Sequence, residues 1–112
     1  MLKKTYRLTR RNDFRRVYAK GKSAANYSMV LYVAPSRSQT MRIGFSVSKK
    51  IGKAVTRNRV KRLMREAAFH LLDSFDAKKD YVFIARNGIK EKSLNEIEKQ
   101  MMSLLKRIGK NK

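Results

Sequence analysis

The sequence predicts an α+β fold, a single domain over residues 1–112, in which a central, mostly antiparallel sheet of about four strands is covered by helices on one side. Three observations lead there. A chain of 112 residues can build one core and is too short to divide into several. Its apolar residues recur with a period near two in some stretches and near 3.6 in others, in the order α-β-β-β-α-β-α. No internal repeat or low-complexity linker interrupts them.

The first helix is expected over residues 10–20, with Thr9 as its cap, Asp13 in its first turn and Gly21 as its stop. Phe14, Val17 and Tyr18 share one face of it, while Arg11, Arg15 and Arg16 point elsewhere. Residues 22–25 read as a short edge strand. Residues 27–34 are rich in β-branched and aromatic side chains, and Pro35 with residues 36–40 reads as a turn. In residues 41–48, Met41, Ile43, Phe45 and Val47 alternate with Arg42, Gly44, Ser46 and Ser48, so these two strands are expected to form a half-buried antiparallel pair.

A long helix follows, with Val60, Leu63, Met64, Ala67, Ala68, Leu71, Leu72 and Phe75 at unbroken helical spacing. Tyr81 to Ala85 is a continuous apolar run, as in a strand buried on both faces. Ser93 and Glu96 make a capping box for a last helix, whose face is Leu94, Ile97, Met101, Leu104, Leu105 and Ile108. Residues 109–112 read as a frayed tail.

Charge dominates the composition: 29 Lys and Arg against 8 Asp and Glu give a formal net charge of +21. Self-repulsion on that scale disfavours a small folded body unless polyanions neutralise it. Residues 1–65 carry 19 basic side chains and the single acid Asp13, a net +18, and the remaining residues a net +3. Basic tails are poor in apolar residues, whereas this segment keeps regular apolar spacing, so the charge is mounted on structure. With no cysteine, disulfides, thiolate metal sites and cysteine nucleophiles are excluded, a composition that suits a reducing cytoplasm. No apolar stretch is long enough for a membrane span, and Met1-Leu2-Lys3-Lys4 lacks the apolar core of an export signal.

The densest cationic stretch leaves a strand, turns at Gly52 and enters the long helix. Lys49, Lys50, Lys53, Arg57, Arg59, Lys61, Arg62 and Arg65 are 8 of the 18 residues from Ser48 to Arg65. If Thr56 caps that helix, four of these cations crowd its first two turns, where the backbone dipole is already positive, and Asp73 and Asp76 stand at the opposite, equally unfavourable end. Bound phosphates would reverse the penalty, because free N–H groups and guanidinium forks both favour an anion there. Asn58, between two arginines, can offer donor and acceptor to a base edge or a 2′-hydroxyl.

Aromatic side chains add the second requirement for holding a single strand. Phe14 and Tyr18 lie one turn apart and Tyr32 lies in a nearby strand. Each alone fits a core position, and together on an open sheet face they could line a groove.

Catalysis by the protein itself is not expected. His70, the only histidine, borders an apolar stripe and reads as packed or capping. Asp73, Asp76 and Asp80 could approach one another but read as solvated rather than as metal ligands.

The residues Lys49-Lys50-Ile51-Gly52 followed by Arg57-Asn58-Arg59-Val60-Lys61-Arg62 resemble the protein subunit of bacterial ribonuclease P. The likeness extends through Asp13-Phe14, Val17-Tyr18, Val30-Leu31-Tyr32, Gly44-Phe45-Ser46-Val47-Ser48 and Asp80-Tyr81-Val82-Phe83-Ile84-Ala85-Arg86. It implies a left-handed β-α-β crossover through the basic helix and similarity to a ribosomal-protein domain.

It further implies a cytoplasmic, RNA-binding, non-catalytic subunit of the endoribonuclease that removes the 5′ leader of precursor tRNA. The partner RNA is the catalyst and uses Mg²⁺, and no cofactor is bound by the protein alone. Lys49, Lys50, Lys53, Arg57, Asn58, Arg59, Lys61, Arg62 and Arg65 would contact the catalytic RNA. Phe14, Tyr18 and Tyr32, with Arg15, would receive the single-stranded leader. No obligatory protein partner is implied. A small ribosomal protein and a sequence-neutral DNA-binding protein are the competing readings; the first gives no reason for an aromatic groove, the second predicts a preference for duplex, and single-stranded leader binding separates both from this one.

Overall fold

The run Tyr81 to Ala85 organises the structure, because a strand apolar on both sides needs a neighbour at each edge and cover on each face. In the computed structural model, which describes residues 6–37 and 40–110, this strand is central. The elements are α1 (Arg11–Lys20), β1 (Lys22–Ala25), β2 (Met29–Pro35), β3 (Arg42–Ser46), α2 (Ala54–His70), β4 (Lys79–Ala85) and α3 (Leu94–Lys110). The four-stranded sheet has the order β1-β2-β4-β3. β1 pairs antiparallel with β2 and β2 with β4, while β3 and β4 run parallel, Ile43 opposite Tyr81 and Phe45 opposite Phe83.

The expected β2–β3 hairpin does not form. β4 lies between them, and the β3–α2–β4 connection returns the chain in the same direction, as a helical crossover must. The sheet is mixed, with two of its three pairings antiparallel.

Helices cover both faces rather than one. Met29, Leu31, Val33, Ile43, Tyr81, Phe83 and Ala85 meet α2 and α3 in the main core, together with Val60, Met64, Ile97, Met101 and Leu104. The alternate residues Ala34 and Val82 form a second, smaller cluster with Leu8 and Val17, joined by Phe14, Tyr32 and Ile84. Apolar residues on both sides of β2 and β4 leave a strip on the second face, and α1 covers only part of it.

Element ends differ from the sequence pattern for local reasons. Thr9 is not the cap of α1: Leu8 N–H donates to Ile43 O at 2.9 Å, which keeps the chain extended beside β3 until Arg10, the N-cap, which makes no side-chain capping bond. Gly21 does end α1, at φ −84°, because a Cβ there would stand 2.4 Å from Val17 O and 2.8 Å from Val33 O. β2 begins at Met29 and includes Pro35, whose missing N–H is harmless at a strand end.

Nor does Thr56 cap α2. Gly52 adopts φ 153°, a backbone conformation costly for a side-chain-bearing residue, and Lys53 is the N-cap. At its other end α2 stops at His70; a 3₁₀ turn, Leu72–Ser74, then delivers Phe75 edge-on to Tyr81, with ring centroids 4.7 Å apart. The capping box of α3 is formed: Ser93 N–H donates to Glu96 Oε1 at 3.1 Å and Glu96 N–H to Ser93 Oγ at 3.2 Å. These bonds hold the Glu96 carboxyl below the usual carboxylate range. α3 continues to Lys110, past the expected fraying point; residues 111 and 112 lie outside the described residues. Among the described residues no helix is long and apolar enough to cross a membrane.

Candidate nucleic-acid interface

After β3 the chain makes a 3₁₀ turn, Lys49–Ile51, pinned by the buried Ile51, which leaves Lys49 and Lys50 exposed. α2 then buries Val60, Met64, Ala67 and Ala68, and its basic side chains leave in three directions. Arg57, Lys61 and Arg65, four residues apart, follow one flank. Lys61 and Arg65 join Arg7, Leu8, Thr9, Phe14, Ile43 and Phe45 around a hollow of about 210 Å³. Asn58 and Arg62 are exposed on the outer side. Arg59 is on the other flank, where its Nη1 donates to Lys90 O at 2.9 Å.

The nine basic-segment residues expected from sequence thus share one helix and the turn before it, but not one surface. The earlier helix start also changes the dipole argument. Lys53 at the N-cap and Arg57 stand within the first turn, where an exposed cation costs about 0.3–1 kcal/mol, and Arg59 and Lys61 follow in the second, where the effect has fallen off.

The aromatic trio comes together. α1 places Phe14 and Tyr18 over the sheet, with ring centroids 6.3 Å apart, and Tyr18 meets Tyr32 edge-on at 5.1 Å. Gly44 makes this approach possible, since a Cβ there would stand 2.6 Å from Phe14 Cζ. Tyr18 remains 37% exposed at the rim. Partial burial pushes its hydroxyl pKa up, a hydrogen bond with Ser46 opposes this, and neighbouring Tyr32 adds to the rise, so the phenol stays protonated at neutral pH. Arg15 is exposed on α1.

Beneath this cleft lies an ionic cluster that sequence reasoning misassigned. Asp80, expected to be solvated, is 0% exposed. Arg16 Nη2 bonds its Oδ2, and Arg42 bonds both its oxygens, Nε to Oδ1 at 3.2 Å and Nη2 to Oδ2 at 3.0 Å. Arg42 Nη1 also reaches Asp13 Oδ2 at 3.3 Å, and Arg16 Nη1 donates to Pro35 O at 2.8 Å. Hydrogen bonding to Asp80 raises the Arg42 pKa further above its ordinary value, with burial opposing. The Asp80 carboxylate of β4 therefore ties α1 to β3, and Arg16 adds a bond to β2. The available signal was the alternation itself, which puts Asp80 on the same face as Val82 and Ile84.

The other acid–base candidates do not converge. His70 is exposed and lies 2.9 Å, Nδ1 to Oε2, from Glu98 of α3, a link between helices rather than a packed position. Asp76 accepts from Lys78 N–H at 2.9 Å. Among the described residues no three His, Cys, Asp or Glu side chains are grouped to hold a metal ion.

Comparison with known proteins identifies the family of this fold. The family model described as Ribonuclease P matches residues 2–109. The chain is 44% identical over 109 residues to the ribonuclease P protein component of Bacillus cereus (strain G9842), covering 96% of this chain and 95% of that one. It is 46% identical over 108 residues to the ribonuclease P protein component of Clostridium botulinum (strain Loch Maree / Type A3), covering 95% and 96%. Its fold matches the solved structure of a Staphylococcus aureus RNase P protein mutant with defective mRNA degradation activity at TM-score 0.86 and 36% identity, covering 95% and 90%. A basic helix beside a mixed sheet, an aromatic cleft on that sheet's second face, and likeness over almost the whole length place the chain in the ribonuclease P protein family, as the RNA-binding protein subunit of that endoribonuclease.

Proposed function

We propose that this subunit binds two RNA elements at once, the catalytic RNA and the single-stranded 5′ leader of precursor tRNA, in the cytoplasm. Lys49, Lys50, Lys53, Arg57, Asn58, Arg59, Lys61, Arg62 and Arg65 contact the catalytic RNA from several faces of α2 and of the turn before it. Phe14, Tyr18 and Tyr32 receive the leader, and Arg15 pairs with its backbone. Lys61 and Arg65 lie where the two sides meet, around the same hollow as Phe14.

The observation that carries this reading is the contact series Phe14–Tyr18–Tyr32 on a sheet face that α1 leaves partly open. Three rings in series with an exposed rim suit stacked, unpaired bases, and nearby cations suit the phosphates between them. Mg²⁺ on the RNA partner would activate the water that cleaves the phosphodiester. The protein's own groups screen charge between two RNAs and add affinity for precursor that the mature product, lacking a leader, does not receive.

Reconstitution tests this directly. The chain, mixed with the catalytic RNA at low Mg²⁺, should stimulate cleavage of precursor tRNA and should favour precursor over mature tRNA in binding. No stimulation, with equal affinity for the two, would refute the proposal.

A further inference from the structure

Residues 26–28, the turn between β1 and β2, are held more firmly than a short connection requires. Asn26 Oδ1 accepts from the N–H groups of Ser28 and Met29, both at 3.0 Å, and its Nδ2 donates to Gln100 O of α3 at 3.0 Å. Arg86 donates twice into the turn, from Nη1 to Asn26 O at 3.0 Å and from its backbone N–H to Ser28 O at 2.9 Å. Arg107 closes the frame with both terminal nitrogens on Ala25 O, at 2.8 and 2.7 Å. At the centre of this frame stands Tyr27, 75% exposed.

The ring does little for the core, yet its seat is made for it. A Cβ on Gly88 would stand 2.4 Å from Tyr27 Cδ2 and 2.5 Å from Cε2, so only glycine lets the ring edge settle on that backbone. Lys92 Nζ lies 6.0 Å from the ring centroid and 3.7 Å from Glu96 Oε2. Arg86, exposed, bonds the backbone on either side of Tyr27, and the Lys90 carbonyl just after the Gly88 turn is held by Arg59. An aromatic ring whose backbone is already ordered loses little entropy on binding, and cations around it suit phosphates on either side of a stacked base.

We propose that Tyr27, seated on Gly88 with Lys92 near its ring and Arg86 bonded into its turn, is a stacking platform for an unpaired base of the catalytic RNA. This extends the basic face of α2 around the end of the sheet, and it rests on the reading that α2 faces that RNA. Continuity selects the catalytic RNA over the leader. β3 and β4 run parallel and end together, so the Lys49–Ile51 turn and the Asn87–Ile89 turn leave the same end of the sheet, and the Arg59–Lys90 bond joins α2 to the residue that follows the second turn. The cleft ring Tyr32 belongs to the other face, whereas the Tyr27 turn is bonded to α3.

The test uses the full chain with the catalytic RNA and the variants Tyr27→Ala and Tyr27→Phe, with affinity titrated across a salt series and precursor and mature tRNA compared on the reconstituted enzyme. Tyr27→Ala should weaken catalytic-RNA binding about tenfold with an unchanged salt slope, because stacking releases no counterions, and Tyr27→Phe should bind as the parent does. The precursor-to-mature ratio should not move. Parental affinity in Tyr27→Ala, an equal loss in Tyr27→Phe, or a loss confined to the precursor ratio would each overturn the platform. A parent chain with no affinity for the catalytic RNA would overturn the underlying functional reading as well, so the two failures are distinguishable.

Discussion

The two faces of the sheet are built by opposite rules. On one, α2 and α3 bury an almost wholly apolar layer in which Phe83 stacks on Phe45 and takes the edge of Phe75. On the other, a single short helix is fastened through Asp80, Arg16 and Arg42, and three aromatic rings stay near solvent. The first face supplies stability, which scales with apolar area removed from water. The second forgoes part of that gain: it fixes α1 by directional ionic bonds and leaves ring surface free for a ligand. Most of the apolar core and the aromatic cleft proposed for the leader therefore sit on opposite sides of the same strands.

The largest effect expected from this contrast is at Asp80. Asp80→Ala leaves Arg16 and Arg42 without their shared buried carboxylate and should cost about 3–5 kcal/mol of folding stability in denaturant titration. A loss below about 1 kcal/mol would show that α1 is held by apolar contacts, as on the closed face.

Tyr18→Ala should separate the faces in the other sense. At the exposed rim it should reduce the preference for precursor over mature tRNA by about 1–3 kcal/mol, the usual worth of one stacked base, while the denaturation midpoint changes little. A drop in stability as large as the drop in preference would make the ring a core residue.

The smallest expected effect is at the outer side of α2. Arg62→Ala should shallow the salt dependence of catalytic-RNA binding by about 0.7–0.9 in log–log slope, one phosphate contact, with little change in melting. An unchanged slope would remove Arg62 from the interface.

Elements whose information is local were legible in the sequence. The stripe of Ile97, Met101, Leu104 and Ile108 with its Ser93–Glu96 box identified α3, and Gly21 as the stop of α1 set off the edge strand β1. What escaped depends on partners far along the chain. Alternation in residues 41–48 shows which side chains share a face of β3 but not which strand lies beside it, so β4 between β2 and β3 was not foreseen.

Asp80 was read as solvated because its partners, Arg42 and Arg16, lie 38 and 64 residues away. The family motifs place Phe14, Tyr18 and Tyr32 near one another. Tyr27, in contrast, matches no motif, and its seat depends on Gly88, a residue with no side chain to signal a contact.

The strand order carries a consequence for biogenesis. Among the described residues β3 has no hydrogen-bonded strand neighbour other than β4, apart from the single bridge between Arg7 and Ile43, and β2 has only the edge strand β1 until β4 arrives. A chain emerging from the ribosome therefore exposes the first 65 residues, with their net charge of +18, before the strand that closes the sheet has been synthesised. During translation this polycationic part of the chain lacks its closing strand, and the last third of the chain supplies it.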